Sequence, residues 1–555
     1  MFSKILIANR GEIAVRIIRT AREMGIATVA VYSEADRAAL HVALADEAYE
    51  IGPAPPSQSY LNGDRLIECA RAAGAQAVHP GYGFLAENAA FASSVVAAGL
   101  TWIGPHAGAI EAMGDKLRAR QAMRDANVPS VPGGHEPIAD VAGARAAAEK
   151  YGLPLAFKAA AGGGGKGLRV ASSMDEVPSA FETARREAKA YFKNDTIYAE
   201  HYLENPKHVE LQVLADKHGS VVHAGERDCS LQRRHQKVWE ETPARISGHL
   251  REAMREAGVR AAKAIGYDSV GTIECLVSGD AFYFLEMNTR IQVEHTITEM
   301  VSGLDLVREQ IRVAAGEPLG YGQDDISFRG FSIEGRVNAE DPAVNFQASP
   351  GAITAYREPG GLGVRVDSAA YAGWTIPPDY DSLVAKLIVW APTRESALAR
   401  MRRALDEYVI EGIPTTLPLL RALCDNPEVA DASYGTATLE PFAATLRPAA
   451  FNGPRLPGPP VHVEPRRTAP RLRTMRKRAN SSDGDEVHSP MHGLVVELTV
   501  SEGDTVAEGQ VVAIIEAMKM MNEVRAHKSG AVSALHVAPG ATVESGSALL
   551  TISNE

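Results

Sequence analysis

The sequence predicts an α/β protein that ends in a small all-β domain. Three observations carry this. The amino end alternates strand and helix patterns, a run of glycines lies between two lysines farther on, and the carboxyl end repeats a set of short strands. A length of 555 residues allows roughly three or four domains. Apolar residues make up 45% and charged residues 23%, the balance of a globular protein with ample core material. The net charge of −12 argues against a nucleic-acid binder, which needs an excess of Lys and Arg. Cys69, Cys229, Cys275 and Cys424 have neither metal-ligand nor disulfide spacing, which fits a reducing cytoplasm. The start reads directly as a strand, with no signal or transit segment expected. The uncharged stretch Asn88–Ile110 contains Asn88, Pro105, His106 and glycines, and reads as soluble helix, turn and strand rather than a membrane span.

KILIANRGEIAVRIIRTAREMGIATVAVYS begins the α/β part. Ile13, Ile17, Ile18 and Ala21 have helical spacing between two short apolar runs, giving a unit of the Rossmann type. Such units serve many functions. LAFKAAAGGGGKGLRVA is more specific. Gly162, Gly163, Gly164 and Gly165 let backbone N–H groups approach phosphate oxygens, and Lys158 and Lys166 are placed to meet an anion. Lys166 is followed by Gly167 and Leu168, so this is not a Walker loop. A flexible linker would explain the glycines but not the lysines, and a mobile phosphate lid explains both.

GTIECLV and AFYFLEMNTR flank Ser-Gly-Asp, a hairpin that sets Glu274 opposite Glu286. Glu286, Asn288, Arg290, Gln292 and Glu294 then share one parity, and one face if the strand stays extended through Glu294. Two carboxylates and an amide oxygen suit Mg²⁺. A solvated sheet face would explain the alternation, but not its coincidence with Glu274 and an upstream glycine lid. ERDCSLQRRHQKVWEE adds the donors Arg233, Arg234, His235 and Lys237, which also fit a charged surface. Cys229 beside them reads as an idle thiol before it reads as a nucleophile.

At the carboxyl end, GLVVELTVSEGDTVAEGQVVAII aligns without gaps on GAVSALHVAPGATVESGSALLTI. Gly503 matches Gly540, Val506 matches Val543 and Gly509 matches Gly546. Two such halves pack as a β-sandwich with quasi-twofold symmetry. Between them lies EAMKM, where Lys519 is flanked by methionines. A lysine in an apolar run usually snorkels from a strand edge. A hairpin tip would instead present it to another enzyme.

With SPMHG ahead of it, this stretch resembles the biotin carrier domain, whose modification motif is EAMKM. The lipoyl domain shares that fold but normally lacks the flanking methionines. The resemblance implies biotin on Lys519, attached by a biotin protein ligase. Residues 1 to 447 resemble biotin carboxylase, an ATP-grasp enzyme, through HPGYGFLAEN, MGDK, FKAAAGGGGKG, HVELQVLAD, ERDCSLQRRHQK, FLEMNTRIQVEH, GRVNAEDP and DYDSLVAKLI. It implies a Rossmann-like domain at 1–115, an ATP-grasp domain with a glycine-rich lid at 116–330 and a biotin carboxylase C-terminal subdomain at 331–447. A linker at 448–488 and a biotinyl/lipoyl-like carrier sandwich at 489–555 follow.

The resemblance also assigns roles. Lys116 and Lys158 bind nucleotide phosphates under the Gly162–Gly167 lid. Glu200, His201, Tyr202 and Leu203 form the adenine segment, and His208, Gln232 and His235 contact the nucleotide. Glu274, Glu286 and Asn288 hold Mg²⁺ or Mn²⁺. Lys237, Arg290, Gln292 and Val293 bind bicarbonate, with Glu294 as the base. Arg336 stabilises charge on the ureido oxygen of biotin, and Tyr82 lines the biotin pocket. Thr296 replaces a usual proline, Gly335 a common cysteine and His201 a frequent lysine. None of these departures removes a catalytic group. Bicarbonate is a poor nucleophile, and the implied route activates it with ATP to carboxyphosphate behind a closed lid, before biotin N1′ is carboxylated.

Pro454–Arg478 holds six prolines and eight Lys or Arg against one Glu. It reads as an extended spacer first and as a docking segment for an acidic partner second. The implied protein is the α-subunit of an acyl-CoA carboxylase for acetyl-CoA or propionyl-CoA. A carboxyltransferase β-subunit would complete the reaction, and the carboxylase region would form a homodimer within a hetero-oligomer, with no nucleic acid or membrane involved. The alternatives are the carboxylase subunit of a two-part pyruvate carboxylase and an inactive carrier or scaffold.

Overall fold

In the computed structural model, residues 1–134, 136–160, 168–192, 194–234, 236–446, 485–518 and 520–553 are described. The amino-terminal sheet has five parallel strands in the spatial order Glu47–Gly52, Ala27–Ser33, Lys4–Ile7, Ala77–His79, Thr101–Trp102. Successive residues of Lys4–Ile7 face opposite layers. Ile5 and Ile7 pack with Ile13, Ile17 and Ile18 of helix Gly11–Glu23, while Leu6 packs with Leu66, Phe91 and Val95. Burial on both faces is why Ile5, Leu6 and Ile7 read as a continuous apolar run. Asn88 caps the helix Ala89–Ala97, and strand Thr101–Trp102 follows it. Among the described residues, no helix is long and apolar enough to cross a membrane.

The centre is an antiparallel sheet of eight strands. Their order is Ala281–Asn288, Val270–Ser278, Lys207–Ala215, Val221–Arg233, Gln236–Thr242, Phe331–Asn338, Leu383–Ala391, Val364–Ser368. It runs without a break across position 330, because Gln236–Thr242 pairs directly with Phe331–Asn338. A separate three-stranded sheet, Leu168–Ala171, Leu155–Ala159 and Ile197–His201, packs on helices Val141–Tyr151 and Val177–Phe192 through Phe157 and Phe181. Its first two strands lie on either side of residues 161–167 in sequence.

The carboxyl-terminal repeat folds into two four-stranded sheets, and the halves exchange strands. Thr505–Val506 of the first half pairs with Gly530–Leu535 of the second, and Thr542–Val543 of the second pairs with Gly493–Leu498 of the first. The pseudo-symmetry extends to packing. A Cβ on Gly493 would strike Glu516 O and Ile515 Cγ2, and one on Gly530 would strike Ser553 O and Ile552 Cγ2, the corresponding atoms of the other half. Ala517 pairs with Met520 across the hairpin of Val511–Ala517 and Met520–Arg525. Met518 has φ 51° and a side chain only 3% exposed.

This hairpin lies against the carboxylase region. The Met518 N–H donates to Pro378 O at 3.3 Å, and Gln347 Nε2 donates to Pro490 O at 3.4 Å. One apolar cluster joins Ile353, Trp374 and Ile376 to Val495, Ile515 and Met518. Gly493→Ala and Gly530→Ala are each expected to cost the sandwich about 1–3 kcal/mol by overpacking. In the full chain both should lower the temperature at which its amides lose hydrogen-exchange protection. Wild-type protection in either variant would mean that the close approach there is relaxed.

Candidate active site

The site is built on the hairpin joining Val270–Ser278 to Ala281–Asn288. Its register sets Glu274 opposite Glu286 and Thr272 opposite Asn288, as the Ser-Gly-Asp turn predicts. The strand does not remain extended to Glu294. It ends at Asn288, and Glu294 stands at the cap of helix His295–Ser302. Glu87 draws the chain out of the ladder by accepting from the Thr289 N–H at 3.1 Å and from Arg290 Nε at 2.9 Å. The condition for a shared strand face is therefore not met, although the five polar residues still line one cavity of about 500 Å³.

Lys237 is the centre of the charge arrangement. Its Nζ lies 2.5 Å from Glu210, 3.0 Å from Glu274 and 2.5 Å from Glu294. Burial would lower the ammonium pKa, but these carboxylates hold it well above the usual range. Burial would likewise raise Glu294, yet Lys237, Arg336 and Arg227 keep it well below the carboxylate range. The other Glu294 oxygen accepts from Arg336 at 2.9 Å, and Arg336 Nε donates to Glu240 at 2.6 Å. Burial pushes Glu240 up to about 7 despite Arg336. Arg227 is fully buried and donates to Glu210 at 2.6 Å, Gln292 at 2.7 Å and Gln212 at 2.7 Å. Gln292 and Asn288 in turn donate to Glu274 at 2.7 and 2.9 Å. The Cys229 thiol is buried, which with Glu210 beside it pushes its pKa well up, and it serves as packing.

At the far end of the cavity, Glu200 is held by Lys158 and by Arg120, the latter at 2.7 Å. Its carboxylate is thus committed to two cations. His201, Tyr202 and Leu203 do not line the cavity. His201 and Tyr202 instead donate their backbone N–H groups to Pro132 and Pro154. His208 Nε2 stands 3.2 Å from Glu274, Gln232 donates to Cys229 O at 2.8 Å, and Tyr82 donates to Glu12. His235, Lys519, Lys166, the glycines 162–165 and Gly167, and the side chain of Lys116 lie outside the described residues.

Glu274, Glu286 and Asn288 face the same cavity with oxygen donors. That set fits Mg²⁺, a hard ion that prefers oxygen and also takes phosphate oxygens. Among the described residues, two other groups come close enough to share an ion, His208–Glu210–Glu274 and Glu210–Cys229–Glu294. The second contains a soft thiol, and Glu210, common to both, is already held by Lys237 and by the buried Arg227.

Sequence reasoning missed Glu210, Arg227, Arg120, Glu87 and Glu240. Glu210 was within reach, because His208, Glu210 and Gln212 alternate along one strand. The partners of Arg227 and Glu87 are far away in sequence and carry no local signal.

Four family matches tile the chain. They are "Biotin carboxylase, N-terminal domain" at 1–110, "Carbamoyl-phosphate synthase L chain, ATP binding domain" at 115–321, "Biotin carboxylase C-terminal domain" at 334–441 and "Biotin-requiring enzyme" at 485–552. A pyruvate carboxylase subunit of Methanothermobacter thermautotrophicus is 54% identical over 427 residues, covering 77% of this chain and 87% of that protein. The propionyl-CoA carboxylase alpha chain of Ruegeria pomeroyi is 48% identical over 479 residues, covering 82% of this chain and 70% of that protein. Among solved structures, the biotin carboxylase domain dimer of Hydrogenobacter thermophilus 2-oxoglutarate carboxylase, with MgADP, ADP and bicarbonate, superposes with TM-score 0.77 at 49% identity. It covers 82% of this chain and all of that one (100%).

Lys237→Met would leave three buried carboxylates without their shared ammonium. It is expected to cost about 3–5 kcal/mol and to lower the urea midpoint of the carboxylase region. An unchanged midpoint would mean that Glu210, Glu274 and Glu294 find other cations.

Proposed function

The chain belongs to the biotin carboxylase family and carboxylates biotin with ATP and bicarbonate; from that premise we propose that it is the α-subunit of an acyl-CoA carboxylase, with its own biotin on Lys519. The observation that carries the placement of biotin on this chain's own Lys519 is the carrier hairpin docked at Pro378, two residues from Tyr380 and three from Asp381 in the cavity wall.

The residues divide the work as follows. Lys237 and Arg290 hold bicarbonate by charge, with Gln292 and Val293 beside them. Glu294, kept ionised by its cations, removes the bicarbonate proton. The freed oxygen attacks the γ-phosphorus of ATP, a P–O bond forms, and ADP leaves with the electrons of the broken bond. Lys158 and Lys116 meet the phosphates, and Glu200 keeps Lys158 in place until they arrive. Glu274, Glu286 and Asn288 would hold Mg²⁺, which supplies charge neutralisation on the phosphates. The C–O bond between the carboxyl carbon and phosphate then breaks, the leaving phosphate takes the ureido N–H proton, and the ureido nitrogen that biotin would supply takes up the released CO₂. Arg336, paired with both Glu240 and Glu294, offers its guanidinium to the negative charge on the ureido oxygen.

The acyl-CoA assignment is favoured by the alignment with the propionyl-CoA carboxylase alpha chain, which extends over 479 residues. The pyruvate carboxylase relative, 54% identical, favours a second reading in which the acceptor is a 2-oxo acid. In both, a carboxyltransferase subunit receives the carboxyl group, a biotin protein ligase modifies Lys519 and the carboxylase region is a homodimer.

The test follows labelled bicarbonate in the biotinylated chain with MgATP, acyl-CoAs and pyruvate. Label should stop on Lys519-linked biotin until a transferase is added, and then reach an acyl-CoA. Label on pyruvate would select the second reading, and label on any acceptor without a transferase would overturn both. Glu294→Gln should lower bicarbonate-dependent ATP hydrolysis by roughly 100-fold or more. Near wild-type turnover in that variant would remove Glu294 as the base.

A further inference from the structure

The bicarbonate-binding turn rests on a lysine that the mechanism above does not use. On three neighbouring antiparallel strands, Arg336, Lys386 and Asp367 occupy one row, with Lys386 opposite both. Arg336 reaches Glu294 in the cavity. Lys386 is wholly buried, at 0% exposure, and its ammonium donates to the Val293 carbonyl at 2.9 Å. It also lies 3.3 Å from Glu12 Oε2 and 3.8 Å from Asp367 Oδ2. Asp367 is already occupied by Arg365, at 2.8 and 2.7 Å, so it balances charge rather than orienting the lysine. The remaining Glu12 oxygen accepts from the Tyr82 hydroxyl.

One ammonium therefore touches the turn that carries Val293 and Glu294 and, through Glu12, the wall that carries Tyr82. An ammonium is costly to bury, and a Met or Leu would fill the same space without that cost. What the charge adds is direction. The peptide between Val293 and Glu294 is planar and trans, so a carbonyl drawn toward Lys386 turns the Glu294 N–H the opposite way and sets the start of the Glu294 side chain.

We propose that Lys386 is a positioning residue for the bicarbonate site, fixing the Val293–Glu294 peptide and tying it to the Glu12–Tyr82 wall. The proposal rests on the biotin carboxylase reading of the cavity, in which Val293 and Glu294 face bicarbonate. Lys386 touches no substrate itself. Its loss should show as misplacement of the bicarbonate turn, with the nucleotide end, built on Lys158 and Glu200 in a separate sheet, left undisturbed.

The experiment is steady-state ATP hydrolysis by the full chain with MgATP, bicarbonate and free biotin, for wild type, Lys386→Met and the double variant Glu12→Gln/Lys386→Met. In both variants KM for bicarbonate should rise roughly 10-fold or more while KM for ATP stays within about twofold. The double variant removes the carboxylate that the single change leaves unpaired, and it carries the test if Lys386→Met does not fold. Unchanged KM for bicarbonate, an equal rise in both KM values, or a double variant that also fails to fold would assign Lys386 to the fold alone and overturn the proposal. Absence of bicarbonate-dependent hydrolysis in the wild type would instead overturn the underlying functional reading, a result distinct from any difference among variants.

Discussion

Everything in the cavity depends on charge neutrality around one buried ammonium. Lys237 comes from Gln236–Thr242, and the carboxylates it holds come from Lys207–Ala215, Val270–Ser278 and the cap of His295–Ser302. Charges removed from water persist only when paired and hydrogen-bonded. Glu210, Glu274 and Glu294 are balanced by Lys237, Arg227 and Arg336, and burial pushes Glu240, which shares Arg336, up to about 7. This constraint keeps Glu294 ionised and keeps cations available to an anionic substrate. The same groups that stabilise the fold thus set the chemistry.

The continuous sheet makes that balance possible. Its antiparallel ladder crosses from Gln236–Thr242 to Phe331–Asn338, which brings Arg336 within 2.9 Å of Glu294, 42 residues away in sequence. The next strand brings Lys386 under the Val293 carbonyl. The amino-terminal sheet contributes Glu87 and Tyr82 from loops beyond its strands, closing the cavity from the other side.

The methionine that precedes Lys519 has a physical rationale in the carrier. Met518 is buried against the apolar cluster that reaches Trp374 and Ile376, and its φ of 51° is imposed by the turn between paired Ala517 and Met520. Met518 therefore works as an adaptable apolar anchor at a contact between two domains.

Elements whose cause is local are legible in the amino-acid order alone. Helical spacing placed Gly11–Glu23, the gapless repeat placed the sandwich, and the Ser-Gly-Asp turn set Glu274 opposite Glu286. Periodicity and turn chemistry act over a few residues, so they can be read without a fold. The end of the strand at Asn288, the Lys237 cluster, the commitment of Glu200 to Lys158 and Arg120, and the burial of Lys386 were decided only by tertiary structure. Each depends on partners tens to hundreds of residues away. A charged side chain looks the same in sequence whether it meets water or a buried counter-charge, and only the packing of the layers determines which.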